Sequence, residues 1–292
     1  MQPKVDIIIL NWNGWQDTIA CLESIFRNDY KNYNIIVVDN FSTNDSVDRI
    51  RNWALKEKHK INLLKVDSNR GFAGGNNVGI KFALSQDHPS YIWLLNNDTI
   101  IMKDSLAKVV AKAITDKTIG ICGSKLLYYQ NPSQIQALGG TYNKYFGTSR
   151  FIIKPEQLYH MDYVVGAAML VSKEFLETIG LLNEEYFLYY EELDWAVRAK
   201  GKFKLACATD SVVYHKEGAS TGGNNRSKNK KSYMADYYSI RSRLLFSKKY
   251  FPQYMPTVYL GLLVTIFNRI IRGQFDHIGM IFRLACNLEQ EK

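Results

Sequence analysis

The chain has 292 residues, 46% apolar and 22% charged, close to the globular average, which excludes a disordered or collagen-like polymer. No apolar run in the sequence reaches the roughly 18–20 residues that cross a bilayer as a helix. The net charge of +9 is uneven: residues 1–215 hold 24 basic and 23 acidic side chains, whereas residues 216–292 hold 13 and 5, so the C-terminal part favours an anionic partner.

In chain order, Val5 to Leu10 is a short β-branched run closed by Asn11-Trp12-Asn13-Gly14, a buried strand and a turn. The run is too short for a signal-peptide core, so a mature first strand and a cytoplasmic compartment are expected. Residues 16–28 show helical spacing, with Ile19, Leu22, Ile25 and Phe26 on one face. Residues 34–39 form a second strand, residues 45–58 a helix with Val47, Ile50 and Leu55 inward, and residues 61–66 a third strand. A helix over 75–85, a strand over 91–95, a helix over 103–113 and a strand over 119–122 follow. The alternation predicts a mostly parallel sheet with helices on both faces.

Residues 124–162 lose this rhythm and suggest loops and short antiparallel strands. Residues 164–171 are apolar around Gly166. Helices near 172–179 and 190–200 follow, then closing strands at 203–208 and 211–215. Residues 218–231 are rich in Gly, Asn and Lys and read as a mobile linker or flap. Residues 233–250 and 255–285 are two helical stretches. The expected division is a catalytic domain over 1–217 and an appendage over 218–292. Cysteines at 21, 122, 207 and 286 are too widely spaced for a metal or redox motif, and are expected to be buried, reduced thiols.

Parallel sheets bind ligands at the carboxyl ends of their strands. Strand two ends at Asp39, which suits either a ribose or nucleobase contact or an ordinary turn. Asn69, Gly71, Gly74, Gly75 and Asn76 surround a helix start where backbone could approach a phosphate, although the spacing is not the G-x-G-x-x-G of nicotinamide sites. Strand four ends in Asn96-Asn97-Asp98, where a carboxylate could hold a hard divalent cation against phosphates. Glu191, Glu192 and Asp194 place three carboxylates at a helix start, with Arg198 spaced to pair with Asp194. Their flanks are aromatic or apolar, and partial burial among like charges would raise one carboxyl pKa toward that of a general base. His215 ends the last strand and could complete a metal shell.

Taken together, VDIIILNWNG, VVDNFSTND, NRGFAGGNNVG, LLNNDT, GAAMLV, FLYYEELDW and the strand ending in His215 resemble the family 2 glycosyltransferases, most closely their rhamnosyltransferase-like branch. The resemblance covers roughly residues 3–250. It implies the GT-A fold, a nucleotide-diphospho-sugar donor, a divalent cation (Mg2+ or Mn2+) and inversion at the anomeric carbon. It puts Asn11, Asn13, Asp39, Asn69, Gly71, Gly74, Gly75, Asn76, Asn96 and Asn97 along the donor. Asp98 and His215 fall on the metal, and Gly166, Trp195 and Arg198 on the acceptor side. Glu191, Glu192 and Asp194 are the catalytic group, with Glu192 the base. The first position of the usual D-x-D metal motif is Asn96, and the base position holds Glu where Asp is common.

The expected reaction moves a sugar, rhamnose by subfamily resemblance, to an acceptor hydroxyl of a glycan or lipid-linked acceptor in cell-surface polysaccharide or glycolipid synthesis. A nucleotidyltransferase would show a basic glycine-rich signature near the first strand, where this chain has NWNG. A nucleic-acid partner is not expected, because the basic tail carries no such motif. A non-catalytic sugar-nucleotide binder is disfavoured by Asp98, Glu191-Glu192 and His215. Met255 to Phe267, followed by Arg269 and Arg272, suits a helix lying at the inner face of a membrane, with packing on the catalytic domain or a homodimer interface as the alternative.

Overall fold

The computed structural model describes residues 2–86, 88–216 and 232–286; the expected linker at 218–231 lies outside them. The first half follows the expected alternation: β1 (Val5–Asn11), α1 (Trp15–Phe26), β2 (Tyr33–Asp39), α2 (Ser46–Lys56), β3 (Asn62–Lys65), α3 (Gly71–Ser85), β4 (Tyr91–Asn96), β5 (Thr99–Ile101) and α4 (Ser105–Ala113). Then come β6 (Ile119–Tyr128), β7 (Asn131–Ala137), the hairpin β8 (Gly139–Asn143) and β9 (Thr148–Ile152), β10 (Ala168–Ser172), α5 (Lys173–Ile179), α6 (Glu191–Ala199) and β11 (Lys204–His215). Three helices follow, α7 (Tyr233–Tyr250), α8 (Met255–Ile271) and α9 (Phe275–Ala285).

Among the described residues the main sheet has nine strands in the order β3-β2-β1-β4-β10-β6-β11-β5, with β7 paired to β6. The half formed by β3, β2, β1 and β4 is wholly parallel. The other half is mixed, because β10 runs antiparallel to both β4 and β6. Successive residues of β1 alternate between two cores, Val5, Ile7 and Ile9 toward α1 and α4, and Ile8 toward α3. That burial on both faces is why these strands read as continuous apolar runs.

Several local expectations change. Leu55 is 71% exposed while Ile50 and Ala54 carry the buried face of α2. Cys286 is exposed, unlike the other three cysteines. The two closing strands are one, β11, whose pairing with β6 is interrupted between Ala208 and Val212. The stretch 255–285 breaks at Gly273, which has φ +65°, a conformation that glycine adopts without a Cβ clash. The helical segment Pro252–Ile271 is 20 residues long with mean hydropathy 1.3. By length and composition it could cross a membrane, because Pro256 and the two threonines sit within a helix that the sequence reading cut short.

Helix α7 is not an outlying appendage. Its Phe246 is fully buried in one cluster with Tyr163, Tyr186, Tyr190 and Leu193, and its ring meets Tyr142, Tyr190 and Tyr250 at centroid distances of 5.0, 5.6 and 4.9 Å. The Ser242 hydroxyl donates to Leu188 O at 2.9 Å. Phe246→Ala should therefore cost about 3–5 kcal/mol, and denaturant melts followed by fluorescence and circular dichroism should still coincide in one transition.

Candidate active site

The carboxyl ends of β1, β2 and β4 lie side by side, with Asn11 opposite Asp39 and Leu10 opposite Asn96. Asp39 is 1% exposed. Its carboxylate accepts from Asn11 Nδ2 at 2.8 Å, Ser42 Oγ at 2.7 Å and Ser42 N at 3.0 Å. Asn11 Oδ1 accepts from Thr18 Oγ1 at 2.8 Å, and Asn97 Nδ2 donates to the same hydroxyl at 3.1 Å. Asn13, at φ +56°, accepts from Thr43 N at 2.8 Å. These polar side chains tie the turn after β1 to the loop after β2. Of the two readings open for Asp39, the turn is the one its contacts display.

The glycine-rich segment also differs from its expected form. Residues 71–75 are the first turns of α3. Its leading amides are already satisfied within the protein: Gly71 N by Asn69 Oδ1 at 2.9 Å and Phe72 N by Phe187 O at 2.7 Å. A Cβ on Gly71 would lie 2.1 Å from Phe187 O, and one on Gly75 would lie 2.4 Å from Leu10 Cδ1. The glycines at these positions allow close packing against β1 and the 187 segment, so they do not form a cradle open to a phosphate. Asn76 Nδ2 donates back to Phe72 O at 2.9 Å.

At the far end of the sheet, β11 brings His215 opposite Thr99 of β5. His215 Nε2 lies 3.2 Å from Asp98 Oδ1, and His215 Nδ1 lies 2.9 Å from Gln136 Oε1. Gln136 Oε1 and Asp98 Oδ1 are both oxygen acceptors, so the imidazole stands between two of them. A histidine that ligates a metal is oriented by this kind of second contact. Among the described residues no three His, Cys, Asp or Glu side chains cluster. Asp98 and His215 thus form a two-ligand N,O set that fits Mg2+ or Mn2+ when phosphate oxygens complete the shell. Sequence reasoning missed Gln136, because only the antiparallel pairing of β7 with β6 brings it to His215.

Helix α6 opens on the acidic pair. Two consecutive residues, Tyr189 at φ +67° and Tyr190 at φ +73°, hold left-handed backbone that costs of order 1–3 kcal/mol each. The Tyr190 hydroxyl donates to Gly147 O at 2.7 Å and secures the bend. Glu191 and Glu192 each have a buried Oε2 without a hydrogen-bond partner. Burial pushes the Glu192 carboxyl from its ordinary 4.5 to about 7. Burial, with the neighbouring Glu192 charge, holds Glu191 well above its usual range. Tyr163, whose hydroxyl pairs with Ser149, feels the Glu192 charge directly. From there the chain runs to Ala167, whose carbonyl accepts from Asn96 N at 3.0 Å. Gly166 is part-exposed between them, and a Cβ there would meet Phe72 Cζ at 3.5 Å.

Asp194, Trp195 and Arg198 face inward. Asp194 is fully buried and accepts from Arg198 Nε at 2.7 Å, Lys249 Nζ at 3.1 Å and Tyr250 OH at 2.7 Å. Burial opposes its charge, yet the Tyr250, Arg198 and Lys249 hydrogen bonds outweigh it and hold the carboxyl below the usual range. Arg198 and the Trp195 indole cap three successive carbonyls, Ile179 at 2.7 Å, Gly180 at 3.0 Å and Leu181 at 2.7 Å. All three residues secure the loop between α5 and α6, which corrects the expectation that Asp194 is catalytic and that Trp195 and Arg198 face the acceptor.

Comparison with known proteins bears on the family and the fold. The model of glycosyl transferase family 2 matches residues 6–180. The chain belongs to that family. It is 26% identical over 204 residues to a low-salt glycan biosynthesis hexosyltransferase, Agl10, of Haloferax volcanii, covering 68% of this chain and 62% of that protein. It is 21% identical over 202 residues to the dTDP-rhamnosyl transferase RfbF of Shigella flexneri, covering 68% of this chain and 64% of the relative. The chain thus spans under two thirds of the length of these curated relatives. The mannosyltransferase PcManGT of Pyrobaculum calidifontis, solved with GDP-Man and Mn2+, superposes with a TM-score of 0.60 at 15% identity, covering 100% of this chain and 77% of that one. Residues 1–349 of S. aureus TarS, solved with UDP-GlcNAc, give a TM-score of 0.56 at 16% identity, over 83% of this chain and 66% of that one. The family 2 chain has the GT-A fold.

The raised Glu192 carboxyl has a consequence for stability. Between pH 4.5 and about 7 the native protein binds more protons than the unfolded chain. The stability this supplies is present below the lower value and lost as pH rises through the upper one. The Tm of the wild type minus that of Glu192→Gln should therefore fall across this window and level off on either side, as read by thermal unfolding in a series of buffers.

Proposed function

We propose that the protein is an inverting glycosyltransferase that moves a sugar from a nucleotide-diphospho-sugar to an acceptor hydroxyl. The observation that carries the reading is the acidic pair at the start of α6, with its two unpartnered buried oxygens and a Glu192 carboxyl near neutrality. A carboxylate with its pKa near working pH suits proton abstraction. Glu192 takes the acceptor proton as the hydroxyl oxygen attacks the anomeric carbon, and the bond to the donor diphosphate breaks in the same displacement. Glu191 beside it favours a single negative charge on the pair, which keeps one proton mobile between binding and release. One base and no protein nucleophile accord with inversion.

Asp98 and His215 hold the divalent cation, and Gln136 orients the imidazole. When bound, the cation neutralises charge on the leaving diphosphate. With two protein ligands, the donor phosphates supply much of the binding. The Mn2+ in the Pyrobaculum mannosyltransferase structure supports this choice of metal. Asn11, Asn13, Asp39 and Asn97 shape the donor end of the sheet by fixing its turns, and part-exposed Asn96 is the donor-facing residue of that strand end. The similarity to RfbF favours a dTDP-rhamnose donor, and the glycan-biosynthesis relative favours a glycan or lipid-linked acceptor.

Glu192→Gln should leave nucleotide-sugar affinity nearly unchanged and lower kcat by about 10²–10⁴-fold; normal turnover in this variant together with its loss in Glu191→Gln would reverse the assignment within the pair. Gln136→Leu should weaken Mn2+ binding in the presence of nucleoside diphosphate by about 10–100-fold, measured by calorimetry. Unchanged affinity would remove Gln136 from the metal site.

A further inference from the structure

The basic C-terminal part was expected to meet an anionic partner through its arginines, yet the structure turns two of them, Arg243 and Arg269, inward. Arg269 makes a bidentate pair with Asp236, at 2.6 and 2.7 Å, and His277 Nδ1 lies 2.8 Å from the same carboxylate. Arg243 donates to Phe146 O, and Arg241 to Glu185 O at 2.8 Å. What α8 leaves outside is apolar instead. Leu260, Leu263, Val264, Phe267, Ile270 and Ile271 are all exposed, Phe267 by 61% and Ile271 by 67%. Val258 and Leu262 of the same helix are buried. A groove of about 300 Å³ runs between α8 and α9, lined by Tyr259, Leu263, Ile266 and Phe282 among others. An unbroken apolar stripe of this kind on a folded domain marks an interaction surface.

Both ends of α8 are tied down. At the C-terminal end Arg269 is locked to Asp236. At the N-terminal end the Tyr254 ring packs edge-on against Tyr145 at 4.8 Å, and the Thr257 hydroxyl donates to Tyr145 O. The helix therefore lies along the domain, and crossing a bilayer would break both attachments. The tip of the β8–β9 hairpin continues the surface with exposed Tyr145 and Phe146. Beside them a cavity of about 430 Å³ is lined by Lys144 and Arg150 with Thr141, Asn143 and Thr148. Among the described residues of the hairpin, α8 and α9 the exposed charges are Lys144, Arg150, Arg272 and Arg283 against Asp276 alone. Two copies related by a two-fold axis would oppose their cationic rims.

We propose that the outer face of α8 and α9, with the β8–β9 hairpin tip, docks flat on an anionic lipid bilayer. The apolar stripe enters the acyl boundary, and Lys144, Arg150 and Arg272 meet the headgroup phosphates. This binding needs no turnover, so it stands or falls separately from the proposed reaction. The test is flotation of the full chain with phosphatidylcholine vesicles, with and without phosphatidylglycerol, at rising sodium chloride. Binding should require phosphatidylglycerol and weaken with salt. It should fall about fivefold for each cation neutralised in Lys144→Gln and Arg150→Gln, which is the ~1 kcal/mol of one basic group at an anionic leaflet. The exposed pair Leu263→Asp and Phe267→Asp should reduce it by more than about tenfold with unchanged circular dichroism. A protein that stays unbound with both vesicle types overturns the proposal. So does a dimer in sedimentation equilibrium that the aspartate pair dissociates without any vesicle binding, and so does a vesicle-bound protein that an alkaline wash fails to release, which would mean that α8 spans.

Discussion

The fully buried Asp194 carboxylate is the interaction on which the acidic face of this protein depends. It gathers Arg198 from its own helix and Lys249 and Tyr250 from α7. Through Arg198 and the adjacent Trp195 it also fixes three successive carbonyls, those of Ile179, Gly180 and Leu181, where α5 gives way to the loop before α6. A buried anion is costly unless several donors share it, and here the donors come from separate parts of the chain. The same contact that neutralises Asp194 therefore holds α5, α6 and α7 in one body. Only with that body fixed can Glu191 and Glu192, at the start of α6, remain in an apolar wall with oxygens that no donor satisfies.

The two acidic centres are built by opposite strategies. Around Asp98 the protein places an imidazole, held by Gln136, and few charges. Around Glu192 it supplies burial and a like charge, so proton affinity rises. Backbone contacts tie segments near each centre to neighbouring elements. Phe187 accepts from the first turn of α3, and Ala167 accepts from the end of β4. Neither centre has an independent scaffold.

Much of this was legible in the residues. Apolar runs such as Ile7-Ile8-Ile9 and Ile35-Ile36-Val37-Val38 could only belong to strands covered on both faces, and they announced the parallel half-sheet. The acids of α6 stood out because their neighbours were aromatic. What stayed hidden were contacts distant in sequence. Gln136 lies 79 residues from His215, and no local pattern marks a strand glutamine as the partner of an imidazole. The packing role of Gly71 and Gly75 stayed hidden because a glycine that admits a neighbouring carbonyl and one that admits a phosphate have the same local signature. The basic tail misled for a related reason: composition counts Arg243 and Arg269 as surface charge, and only the fold shows them buried against a carbonyl and a carboxylate.

The paired left-handed residues Tyr189 and Tyr190 have a consequence for how the site can change over evolutionary time. Backbone preference argues against tyrosine at both positions, so the bend is held by ring packing and by one hydroxyl. Tyr190 lodges beside Tyr142 and Phe246, at centroid distances of 6.2 and 5.6 Å. Glycine would relieve the torsional conflict but would release the rings, freeing the segment that carries the carboxyl pair. Drift at these two positions is thus penalised from both directions.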